Sequence, residues 1–122
     1  MKYLWTTINV KDMNTSIAFY SDLVGLKALN RFPAGPGKEI TFMGNGADGE
    51  TTVELLSDAN LASIDCGESI SLGFAVPSMD EMLKMVERCN IPVQSGPFET
   101  PAFKFFTIKD PDGWNIQFFE KK

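Results

Sequence analysis

The sequence predicts an α+β domain built from two successive βαβββ modules. Three observations carry that reading. Residues 3–10, YLWTTINV, alternate apolar and polar and then meet a helix-cap signal. Residues 70–76, ISLGFAV, do the same. The spacing from Trp5 to Asp12 equals that from Ser71 to Ser78, and later landmarks keep nearly the same offset between halves: 66 residues from Trp5 to Ser71, 63 from Glu54 to Gln117.

The elements follow in order. In the first strand Leu4, Thr6, Ile8 and Val10 share one face, and Tyr3, Trp5, Thr7 and Asn9 the other. Asp12 or Asn14 caps a helix over about 14–24, with a stripe of Ile17, Phe19 or Tyr20, and Leu23 or Val24. Gly25 ends it. Residues 26–32, 39–43 and 51–56 read as strands, separated by the loop 33–37 and the turn 44–49. In TTVELL, Val53 and Leu55 face one way and Thr52 and Glu54 the other. A connector leads to the strand 70–76, with Ile70, Leu72, Phe74 and Val76 on its apolar face. Ser78-Met79-Asp80-Glu81 has the form of a capping box and opens a helix to about Asn90. Its expected buried stripe is Met82, Met85, Val86 and Cys89, methionine serving as core filler. Pro92–Ser95, Phe103–Ile108 and Asn115–Glu120 complete the second module, the last two joined by Asp110-Pro111-Asp112-Gly113. The expected organisation is one domain, 1–122, of modules 1–57 and 68–122 with a connector 58–67.

Composition narrows the function. The formal charge is −5, with 11 basic and 16 acidic residues. That disfavours nucleic-acid phosphates and anionic membranes as partners. Cys66 and Cys89 stand in no metal-binding spacing, and two reduced thiols fit a cytoplasmic protein. No apolar run reaches the roughly 18 residues of a membrane span, and the start has no signal-peptide pattern. The sequence contains no histidine. That removes the commonest general base and transition-metal ligand, and with it any Ser-His-Asp or Cys-His nucleophile system within one chain.

INVKDMNTSIAFYSDLVGL (8–26), TTVELL (51–56) and DPDGWNIQFFE (110–120) resemble the glyoxalase/bleomycin-resistance/extradiol-dioxygenase group, the vicinal oxygen chelate superfamily. The resemblance implies two curved mixed sheets of paired βαβββ modules around a cleft, and commonly a homodimer. In metal-using members four positions, on the first and last strands of each module, carry His, Gln or Glu. By motif these are Trp5, Glu54, Ser71 and Gln117. Trp5 cannot coordinate a metal, Ser71 is a poor neutral ligand and Gln117 offers one amide oxygen. One carboxylate and one amide do not make a tight Zn²⁺ or Ni²⁺ site. The expectation is therefore no metal and no other cofactor.

What replaces the ligands suits a small-molecule site. Trp5 offers a flat stacking surface. Phe98 and Phe103, in a loop at 95–103 stiffened by Pro97 and Pro101, lie near the last hairpin, with Phe105 and Phe119 on its strands. Aromatic walls with Glu54, Ser71, Asn115 and Gln117 match the usual make-up of a ligand pocket. Glu54 beside rings suits a cation. The leading expectation is a metal-independent protein that sequesters a planar or aromatic, neutral-to-cationic small molecule. The alternative is a divergent lactoylglutathione lyase-type lyase or isomerase using Glu54 and Gln117, with or without a metal, Glu54 serving as general base where no metal is held. A third reading is a regulatory domain whose cleft is closed by its own rings.

Overall fold

Each half of the chain forms a four-stranded mixed sheet with one helical segment, and the strand order is the same in both. The computed structural model describes every residue, Met1–Lys122. The chain divides into two units, Met1–Asp65 and Cys66–Lys122.

The first unit contains β1 (Trp5–Val10), α1 (Met13–Ala18), a π-helical turn (Phe19–Leu23), β2 (Lys27–Pro33), β3 (Lys38–Gly44) and β4 (Thr52–Asp58). The sheet runs β1-β4-β3-β2. β1 pairs parallel to β4, and the other pairs are antiparallel. The helical segment starts because the Asp12 side chain accepts a hydrogen bond from the Thr15 N–H at 2.9 Å. That bond, together with others from Thr15 and Asn14, holds the Asp12 carboxyl below the usual carboxylate range. The expected helix 14–24 is α-helical only to Ala18 and then widens, Val24 N–H bonding to Phe19 O. Met13, Ser16, Tyr20 and Leu23 are its buried residues. They share the core with Ile8, Val10, Met43, Val53 and Leu55.

The turn from β3 to β4 is organised by one carboxylate. Glu50 accepts from the N–H groups of Asn45 (2.9 Å) and Gly46 (2.6 Å). These two bonds lower the Glu50 pKa below the usual range. A Cβ at Gly44 would come within 2.5 Å of Glu50 Oε1, so the carboxylate occupies space that a side chain would take.

The second unit contains β5 (Ser71–Ala75), α2 (Met79–Arg88), β6 (Val93–Glu99), β7 (Phe103–Lys109) and β8 (Asn115–Lys121), in sheet order β5-β8-β7-β6. β5 pairs parallel to β8. Met79, Met82 and Val86 of α2 form a core with Phe106, Ile108, Ile116 and Phe118. Two details of the expected helix differ. Cys89 is exposed, because it is the C-cap and lies where the chain leaves the helical path. Met85 is half-buried. The capping box is half made. Ser78 Oγ accepts from Glu81 N–H, but the Glu81 carboxylate pairs with Lys84 at 3.4 Å. The carboxylate of Glu120 on β8 accepts from the first N–H within the helix, that of Met79, at 3.0 Å. A tertiary contact thus satisfies one more N–H of the helix start.

Segment 95–103, expected as a loop, is in large part strand. β6 extends to Glu99 and pairs with β7 through two register shifts, at 93–95 and 95–98. Gly96 sits at φ +90, with the Phe105 carbonyl 3.1 Å from where its Cβ would lie. The irregular pairing disguises the strand, since Gly and Pro inside a run read as a breaker.

The Asp110-Pro111-Asp112-Gly113 turn joins β7 to β8 as expected. Asp110 Oδ1 accepts from the N–H groups of Asp112, Gly113 and Trp114, each at 2.9 Å. The side chain is buried at 5% exposure, so the hairpin that carries Gln117 springs from a fixed corner.

Candidate functional site

In each sheet one face packs the helical segment and the other carries the residues singled out from sequence. Side chains alternate between faces along a strand, and directly opposed residues share a face. On the first sheet, Ile8 opposes Leu55, and Thr41 and Met43 oppose Leu55 and Val53, on the core side. Trp5, Thr7, Phe42 and Glu54 lie on the other.

Glu54 is the centre of that face. It is 9% exposed. Thr7, directly opposite on β1, donates its hydroxyl to Glu54 Oε1 at 2.7 Å. Phe42 opposes Glu54 on β3. The Trp5 ring meets Phe42 edge-on at 5.2 Å, and Phe32 stacks on Phe42 at 6.3 Å. Trp5 is 44% exposed and pairs in register with Thr52. It stands one step along the same face from the Thr7–Glu54 pair.

The second sheet repeats the register with other chemistry. Gly73 opposes Gln117, as Thr7 opposes Glu54, and Ser71 opposes Asn115, as Trp5 opposes Thr52. The Gln117 amide oxygen lies 3.8 Å from where a Gly73 Cβ would be, in ordinary contact. Asn115 is buried, and its amide donates to the Ile70 carbonyl at 3.2 Å. Its amide is thus committed to the strand edge. Ser71 is exposed.

Four of the predicted aromatics form one ring cluster here. Phe98 meets Phe105 at 5.2 Å, Phe103 meets Phe105 at 5.7 Å, and Phe103 meets Phe119 at 5.0 Å. Phe105 opposes Phe119 on β8 and Phe98 on β6. Thr107 opposes Gln117, so the amide and the rings share a face. Phe98 is 49% exposed, an open edge to the cluster.

Four residues of these faces escaped the sequence reading: Thr7, Phe32, Phe42 and Gly73. The lone glycine inside ISLGFAV was a usable signal, because a strand glycine often marks a close approach. Thr7 had only its alternation. Its partnership with Glu54 depends on the parallel pairing of β1 with β4.

The donor set does not fit a tightly held transition metal. Nowhere in the chain do three or more His, Cys, Asp or Glu side chains come together. Glu54 is the only carboxylate among the four motif positions, and one of its oxygens is already engaged by Thr7.

The fold and these motifs define the class. The model of the Glyoxalase/Bleomycin resistance protein/Dioxygenase superfamily matches residues 2–118, and the chain belongs to that superfamily. Among its relatives is the lactoylglutathione lyase of Salmonella typhimurium, 30% identical, covering 100% of this chain and 94% of that protein. Among solved structures, a trypanothione-dependent glyoxalase I from Leishmania major superposes with a TM-score of 0.84 at 24% identity, over 98% of this chain and 86% of the other. An antibiotic binding protein from Streptomyces, TnmS3, superposes with a TM-score of 0.74 at 21% identity, over 100% and 97%. These structural likenesses establish the fold. No helix is long and apolar enough to cross a membrane.

Proposed function

We propose that the chain is a metal-independent small-molecule-binding member of the superfamily. It sequesters a planar or aromatic, neutral-to-cationic ligand against the helix-free faces of its sheets, and no bond is made or broken. The observation that carries this reading is the ring cluster Phe98–Phe105–Phe103–Phe119, open at Phe98 and bordered by the Gln117 amide. Ring faces of this kind gain roughly 25 cal/mol per Å² of apolar area removed from water, offset by the cost of association. Gln117 and Ser71 supply polar contacts on the second sheet, and Glu54 supplies one on the first. The antibiotic binding neighbour supports the reading at the level of fold alone.

Calorimetric titration with a panel of planar aromatic compounds, neutral and cationic, tests the proposal. A saturable binder is expected, weakened by Phe98→Ala where it seats on the second sheet and by Trp5→Ala where it seats on the first. A panel without binders, or binding unchanged in both variants, overturns it.

One finding favours a second reading. Similarity to a lactoylglutathione lyase runs along the whole chain. Under that reading Glu54 and Gln117 serve the reaction, with or without a metal, Glu54 acting as metal donor in the first case and as general base in the second. Elemental analysis of protein purified without chelators, with an assay for lactoylglutathione formation, separates the two. A full equivalent of metal and turnover lost in Glu54→Gln would establish the enzyme.

We also propose a cytoplasmic homodimer whose partner is a small molecule rather than nucleic acid or membrane. Sedimentation equilibrium at twice the 13.5 kDa chain mass tests the dimer.

A further inference from the structure

The geometry points to Glu54 as the anion of an organic-cation subsite, in which Thr7 positions the carboxylate and the Trp5 and Phe42 rings flank the positive charge. The inference rests on the small-molecule-binding reading above and adds the charge class of the guest and the residues that select it.

Four observations carry it. Glu54 is nine-tenths buried, yet none of the chain's salt bridges includes it. A carboxylate so far withdrawn from water ordinarily has a cationic partner, because its lost hydration must be made good. Its one protein partner is a neutral hydroxyl, Thr7 Oγ1 on Oε1. Oε2 has no partner, and it is not sealed in either, since Thr41 Oγ1 is the only unpartnered side-chain polar atom closed off from solvent. One carboxylate oxygen is therefore held and the other is open. The neighbours on this face are rings: Phe42 directly opposite Glu54, with Trp5 edge-on to it.

The chemistry of the guest follows. A compact, strongly hydrated divalent ion needs several oxygen donors, which this face does not offer. An ammonium attached to an apolar body needs one carboxylate and ring faces, because ring quadrupoles attract a weakly hydrated cation. The overall charge of −5 favours approach of a cation. The Thr7 bond restrains the rotation of the carboxylate and leaves Oε2 without a protein partner, so it lowers the ordering cost of binding.

The test uses the size-matched probes benzylammonium and benzyl alcohol at neutral pH, titrated calorimetrically into the full chain. Benzylammonium is expected to bind on the order of tenfold tighter than the alcohol. Glu54→Gln retains the size and the acceptor for Thr7. It is expected to abolish that preference while leaving the thermal midpoint within a few degrees. Thr7→Val retains the charge and is expected to reduce the preference without removing it.

Equal affinity for the two probes overturns the subsite and leaves aromatic binding standing. An undiminished preference in Glu54→Gln overturns it as well, and an undiminished preference in Thr7→Val overturns the role of Thr7. Displacement of benzylammonium by Mn²⁺ alone, lost in Glu54→Gln, makes Glu54 a metal donor and overturns the proposal. Failure of every aromatic probe removes both this subsite and the binding function.

Discussion

The sheet of Trp5–Asp58 and the sheet of Ser71–Lys121 share strand order and the register of their parallel pair, so side chains of β1 and β4 have counterparts on β5 and β8. Leu55 matches Phe118 in the core, Glu54 matches Gln117, and Thr7 matches Gly73. The first sheet sets a charged group against a hydroxyl, beside Trp5, Phe42 and Phe32. The second sets a neutral amide against a glycine, beside four phenylalanines. The architecture is held by the core faces, which are mainly apolar in both modules, with Thr41 and Ser16 the buried polar residues of the first. The helix-free faces are released from that duty and have diverged. The difference teaches that a repeated strand register can carry two different chemistries on its helix-free faces.

The comparison breaks most visibly in the cores. Phe118→Ala is expected to cost about 3–5 kcal/mol and its counterpart Leu55→Ala about 2–5 kcal/mol, since both side chains are fully buried. Urea denaturation of each variant measures this. A Leu55→Ala loss well above that of Phe118→Ala would show that the smaller core packs more tightly.

The two β-turns come next. Asp110→Ala leaves three N–H groups without their acceptor and is expected to cost about 1–3 kcal/mol. Glu50→Ala removes two bonds from a turn in contact with water and is expected to cost less. Thermal melts of the pair rank them, and a larger loss at Glu50 would reverse the assignment of which corner is fixed.

The paired faces give a smaller effect. Thr7→Val is expected to cost about 1 kcal/mol, the net worth of one hydrogen bond. Gly73→Thr gives the second sheet a side chain opposite Gln117. It is expected to change stability by less than about 1 kcal/mol, because the new Cβ meets only an ordinary contact at 3.8 Å and glycine is a poor strand residue. Chemical denaturation of both variants asks whether the faces can be exchanged at little cost.

Acid titration gives the smallest effect. The Asn45 and Gly46 N–H groups favour ionised Glu50, so its pKa in the folded chain is lowered. Its contribution is fully present above the ordinary glutamate pKa and is lost as pH falls through the lowered folded value. In the second module the Lys122 ammonium, 2.5 Å away, lowers Glu99 with the same sign. Both Glu50→Gln and Glu99→Gln should flatten the loss of stability in that acid window. Only the Glu99 contribution should shrink when salt is raised, because it rests on an exposed ion pair.

Much of the fold was legible because period-2 alternation and cap residues are local signals. β1, β4, β5 and β8 follow from alternation, and Asp12 and Ser78 from their side chains. The rest needed tertiary contacts. β6 hides behind Gly96 and Pro97, whose irregular pairing is tolerated only because β7 lies alongside. Glu81 matches a capping box by spacing, yet its carboxylate pairs with Lys84, and the Met79 N–H finds its acceptor in Glu120 from β8. For the faces, alternation placed Glu54 and Gln117 on the less apolar sides of their strands. It could not give Thr7 its partner, because the two residues are 47 apart in sequence and meet only through parallel pairing.

The matched register of Glu54 and Gln117 also has a genetic meaning. Glutamine and glutamate codons differ by a single base, so a carboxylate opposite Gly73 is one mutation away. Trp5 stands elsewhere on the mutational map, since every base of a tryptophan codon must change to give histidine. A lineage carrying this gene can gain one acidic donor readily and an imidazole on β1 only with difficulty. The tryptophan, not the glutamine, is the ratchet that keeps the descendants of this chain on their present course.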